Sequence, residues 1–210
     1  MKRTVALALV GSMFAATQPA FAQDAEGARC DRQVRDLQQR LDLDAQHTRV
    51  WYWAWMATGT ALLVGQGIAA PLTTGDTQKE MTAGALTSIF IPGLLLLHPP
   101  LVLTDSPRLD ARIAATSVGG RLGDPCVVLP RAQELVARDA ADQALATGWF
   151  AHVFVIGGNI AVGAILGLGF GDWLGAVKQV VGGSIIGELQ VLTLPTGALK
   201  ARGLGLTGTF

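Results

Sequence analysis

Long stretches without a charged side chain constrain this chain more than any other feature. No Asp, Glu, Lys or Arg occurs across residues 51–70, 81–103 or 148–170, and residues 173–194 carry only Lys178 and Glu188. About 20 apolar residues, each rising about 1.5 Å in a helix, cross a hydrocarbon core of about 30 Å. Each stretch therefore has the length of a membrane span. Half of the 210 residues are hydrophobic and 15 % are charged, and the mean hydropathy of +0.39 is high for a soluble domain of this size. The expected fold is all-α: a polytopic membrane protein of about four transmembrane helices in two hairpins, with amphipathic extramembrane helices.

The spans divide the chain. Lys2 and Arg3, an apolar stretch from Val5 to Ala16, and Ala20-Phe21-Ala22 make residues 1–22 a signal peptide with expected cleavage after Ala22; the alternative is an uncleaved anchor. Residues 23–50 form an extracytoplasmic amphipathic helix, with Val34, Leu37 and Leu41 on one face. The first hairpin, 51–104, begins on Trp51, Tyr52, Trp53 and Trp55 as an interfacial belt. It turns through Gly75-Asp76 and should kink at Pro92. Residues 105–147 are polar, loop-like through Gly119-Gly120 and Gly123-Asp124-Pro125 and helical over 131–146. The second hairpin, 148–195, turns tightly at Gly171-Asp172 and stops at Pro195, leaving a glycine-rich flexible tail, 196–210. Sliding the first hairpin along the chain places Trp51 on Trp149, Tyr52 on Phe150, Gly59 on Gly157 and Gly65 on Gly163, as a duplication would.

An export signal followed by four spans puts Cys30 and Cys126 on the same outer, oxidising side of a bacterial-type inner membrane. A disulfide persists there, and closing so long a loop is worth about 4 kcal/mol. The arginines oppose this orientation. Arg29, Arg32, Arg35, Arg40, Arg49, Arg108, Arg112, Arg121, Arg131 and Arg138 all fall outside, with little beyond Lys79 and Lys178 inside, against the positive-inside tendency.

Lys plus Arg equals Asp plus Glu, 16 of each, so no charge imbalance recruits a nucleic acid. Phosphate-loop, nucleophile-elbow and metal-ligand spacings are missing, and no metal or cofactor is expected. Gly203-Leu204-Gly205-Leu206-Thr207-Gly208 matches a dinucleotide pattern by letter, but opens no helix before the chain ends. Among the 26 glycines, Gly163 and Gly167, and Gly183 and Gly187, recur at four-residue spacing and present small faces for close helix packing, within the hairpin or between copies. The polar groups inside the spans are Glu188, His98, Asn159, Lys178 and Gln66. Intramembrane ionisable groups mark ion paths when they face water. In that case Glu188 is the proton- or cation-binding carboxylate, with His98 as its relay. As a structural set, the same groups snorkel or bond to neighbouring helices.

Three function classes follow. A structural, assembly or partner-anchoring protein leads, with the bilayer and a second copy or another membrane protein as partners; its hallmark is a dry bundle. A small channel or ion-coupled carrier using Glu188 needs a wetted cavity reaching that carboxylate. A membrane-embedded enzyme needs clustered acids or histidines at one surface, which the sequence lacks. A β-barrel fits poorly, because residues 89–97 and 153–156 are apolar almost throughout rather than alternating.

Overall fold

A computed structural model describes residues 4–119 and 121–200, and these are overwhelmingly helical. Helix α1 runs unbroken over Thr4–Ala69, so residues 4–22, the amphipathic segment and the first apolar stretch share one rod. Pro71 closes it through a 3-10 turn, Ala70–Leu72. Gly75, at a φ of +66° that only glycine adopts without strain, opens α2, Gly75–Ser88. The second apolar stretch then breaks between α2 and α3, Phe90–Leu97. Pro92 is the cause, because its ring clashes with the carbonyl of the residue four before it, Ser88. His98, preceding Pro99, leaves the helical region at φ −132° and ψ 70°, as a residue before proline must.

Helix α4, Val102–Thr116, corrects the expectation of a loop at the start of the 105–147 segment. Val102, Leu109 and the half-buried Ile113 line its inner face, a helical spacing that Pro107 disguised. A two-stranded turn pairs Ser117–Val118 with Arg121–Leu122. Helix α5, Pro125–Ala146, begins earlier than expected because Asp124 caps it, accepting from the Cys126 N–H at 3.0 Å. Helix α6, Trp149–Ala164, continues as a π-helical stretch, Ile165–Gly169. Gly171 (φ +72°) makes the turn, and Asp172 caps α7, Trp173–Leu192, through the Gly175 N–H at 2.8 Å.

Two regions with opposite burial result. One hydrophobic core joins Val34, Leu41 and Ala45 of α1, Val102 and Leu109 of α4, and Val128, Ala132, Leu135 and Val136 of α5. This three-helix bundle is closed at one end by Cys30 and Cys126, at disulfide distance with Cα atoms 5.1 Å apart. The other region turns large apolar side chains outward, among them Phe90, Leu97, Phe154, Ile160, Val181 and Ile185. Two of its helical stretches, Gly75–Thr116 and Pro125–Gly169, are long and apolar enough to cross a membrane, and only 22 % and 17 % of their apolar windows are buried in the protein. The first and last apolar stretches are diluted, by Gln66 and the indoles on one side and by Lys178, Gln179, Glu188 and Gln190 on the other.

The ends of the apolar region are tied. Both Trp51 and Trp55 donate their indole N–H to Thr193 Oγ1 at 3.2 Å. Each hairpin also begins on an edge-to-face aromatic pair, Tyr52 with Trp53 and Trp149 with Phe150. The expected flexible tail is corrected at its start: residues 197–200 make a helical turn docked on the three-helix bundle. Asp44 accepts from the Gly197 and Ala198 N–H groups at 3.1 and 3.0 Å, and Gln143 from Leu199 at 3.0 Å. The glycine pattern at 203–208 lies outside the described residues.

Candidate functional site

The turn geometry of each hairpin decides which side chains meet. An antiparallel pair brings together residues lying equally far from its turn, so Gln66 faces Gly84 across the first hairpin and Asn159 faces Gly183 across the second. A Cβ on Gly163 would overlap Val180, one on Gly167 would sit 2.8 Å from the Trp173 ring, and one on Gly187 would sit 2.5 Å from Val155. Asn159 would block a Cβ on Gly183 in the same way. All four glycines thus face side chains of their own hairpin.

Between the two hairpins lies a cleft of about 410 Å³. Its apolar walls include Leu62, Phe90 and Val162, and its polar groups come from both hairpins. Gln66 Oε1 accepts from Ser88 Oγ at 3.0 Å. The Gln179 amide donates to Asn159 Oδ1 at 3.0 Å and reaches Thr87 Oγ1 at 3.5 Å, while the Asn159 amide donates to the Val155 carbonyl at 2.8 Å. Lys178 pairs with Glu80 at 2.8 Å. These contacts satisfy one another: α7 is joined to α2 by an ion pair and an amide chain, and the charges cancel.

Gln66, Asn159 and Lys178 therefore share one cleft, but Glu188 and His98 do not join them. Glu188 Oε2 instead meets Nδ1 of His152, on α6, at 2.5 Å. His98 caps α3 and is exposed, which corrects its expected role as relay to Glu188. The His152 contact was legible, since His152 and Glu188 lie at nearly equal distances from the turn at Gly171, but a neutral histidine leaves an apolar stretch looking uninterrupted. Around the pair, Glu188 Oε1 and Ser184 Oγ are buried without a hydrogen-bond partner among the described residues. A carboxyl and an imidazole in contact can hold one proton between them and pass it on through the ring's other nitrogen.

Comparison with protein-family models, with curated proteins and with solved structures finds no match to this chain. What it does must be argued from its own geometry.

Proposed function

We propose that this chain is a four-span membrane protein of the cell membrane that anchors a disulfide-braced three-helix bundle on the outer, oxidising side and serves in assembly with a membrane partner. The opposite burial of its two regions carries the reading. The only hydrophobic core among the described residues lies in the outer bundle, whereas the apolar stretches face outward, which suits hydrocarbon as their surroundings. Each weaker span is paired with a strong one in its hairpin, so all four cross together. Mutual satisfaction of the cleft's polar groups supports a packed bundle rather than a pore.

Reaction of Cys30 and Cys126 with a membrane-impermeant thiol reagent, in intact and permeabilised cells, tests the topology. Labelling from outside only after reduction is the expected result. Labelling without reductant and only after permeabilisation would overturn both the orientation and the disulfide.

A second reading, an ion-coupled carrier, is favoured by one observation: the His152–Glu188 pair with its unpartnered Oε1 and the nearby Ser184 hydroxyl. Under that reading Glu188→Gln leaves folding intact and abolishes proton or cation flux in reconstituted vesicles. Under the anchoring reading, no such flux exists to lose.

A further inference from the structure

The membrane-facing half of the outer bundle buries three carboxyl groups: Asp44 of α1 at 3 % exposure, Asp105 of α4 at 0 % and Asp139 of α5 at 1 %. Burying a carboxylate is costly unless donors surround it. Two of the three are supplied. Asp44 takes Gln143 at 2.6 Å besides the two tail N–H groups. Asp105 takes Arg138 Nε at 2.9 Å and Arg108 Nη1 at 3.0 Å, and a second Arg138 nitrogen also contacts it.

Asp139 has nothing of the kind. Neither oxygen meets a donor among the described residues. The guanidinium next to it in sequence, Arg138, is turned to Asp105. From α1 it faces the carboxylate of Asp44, from α4 that of Asp105, and on its own helix the charge of Arg138; Glu134 lies near that arginine. Thr48, also fully buried, has no partner for its hydroxyl among the described residues. No group of three His, Cys, Asp or Glu side chains among the described residues is placed to hold a metal ion. Asp105 and Asp139 are nonetheless brought together where α4 meets α5, because the residue next to Asp139, Arg138, holds the Asp105 carboxylate, and both acids are buried. Two ionised carboxylates are both acceptors and repel, so a buried pair of this kind is stabilised by one proton shared between them.

We propose that Asp105 and Asp139 bind one proton as a carboxyl–carboxylate pair that ties α4 to α5, so that the outer bundle is a proton-binding unit that loosens as pH rises. Burial first, and then the charge of Asp105, push the Asp139 carboxyl up to about 8, with Arg138 opposing and Asp44 adding to the rise. In the unfolded chain the same group titrates near about 4. The folded state therefore holds more protons between those limits, and stability falls as pH rises through that window. Carboxylates that gain donors on folding behave in the opposite way.

The test uses the full chain in lipid nanodiscs with the disulfide intact. Thermolysin cleavage within the outer bundle is followed from pH 6 to 8 and normalised to an unstructured peptide at each pH. Native protein should open about fiftyfold more readily at pH 8 than at pH 6, nearly tenfold from pH 6 to 7 and less steeply above. Asp139→Asn, whose amide donates to Asp105 without titrating, should flatten that slope. A flat native profile, or an unchanged slope in the variant, overturns the proposal. Should Asp139→Asn fail to fold, infrared spectroscopy of the native protein decides: the band of a protonated buried carboxyl must be present at pH 6 and fade as pH rises past about 8, and its absence at pH 6 refutes the pair.

Discussion

Reducing the Cys30–Cys126 link, or replacing Cys126 by Ser, should loosen the outer bundle by an amount that chain statistics set. The two cysteines are 96 residues apart, and a closed loop of about 100 residues removes roughly 4.7 kcal/mol of conformational entropy from the open state. That figure is a ceiling here. If the apolar hairpins stay packed while the three helices open, that packing already restrains the loop, and the entropy left for the bridge to remove is smaller. Opening by about 3–4.7 kcal/mol more readily means about two to three and a half orders of magnitude in the population of open molecules, at about 1.4 kcal/mol per tenfold. Amides of α5 around Val128 and Leu135, which sit in the core at 0 % and 1 % exposure, report that population through hydrogen exchange. Their exchange should accelerate by roughly that factor on reduction, while amides of α6 and α7 stay unchanged. Acceleration below about tenfold in α5 would refute the view that the bridge, together with a small core, holds these three helices.

Two further perturbations probe other contacts. Gly187→Leu forces a side chain into Val155 across the second hairpin and should cost about 1–3 kcal/mol; a lowered thermal midpoint in detergent checks it, and Gly182→Leu, which meets open space, is the control. Asp44→Ala leaves the Gly197 and Ala198 N–H groups without their acceptor, about 1.5–3 kcal/mol for bonds to a charged group, and trypsin should then cut after Lys200 at least tenfold faster.

Much of this architecture was legible from local pattern, and the remainder from geometry that no single stretch contains. Two cysteines admit one intramolecular pairing, and uncharged runs, prolines and turn glycines mark the helices and hairpins. Helix α4 was hidden because Pro107 and a run of charges resemble a loop, although Val102, Leu109 and Ile113 keep helical spacing. Glu188 was singled out as a rare charge in an apolar stretch, but its partner depends on which helix lies alongside. His152 therefore displaced His98 only once the hairpin was folded about Gly171. Asp139 gave no local signal, since it sits among Arg138, Asp142 and Glu134 like any solvated helix face, and its burial arises from α1 and α4 closing over it.

The unbroken course of α1 from the outer bundle into the apolar region makes it a lever. It carries Asp44, which grips the tail, and Gln66, which lines the cleft between hairpins, and no proline or glycine break separates the two at the boundary. At about 1.5 Å per residue they are roughly 33 Å apart along the axis. A rigid rod of that length, tilted by about 5° at its outer end, sweeps its other end through roughly 3 Å. Any force applied to the three-helix bundle would thus act as torque directly on the wall of the cleft, with no hinge between the two regions to absorb it.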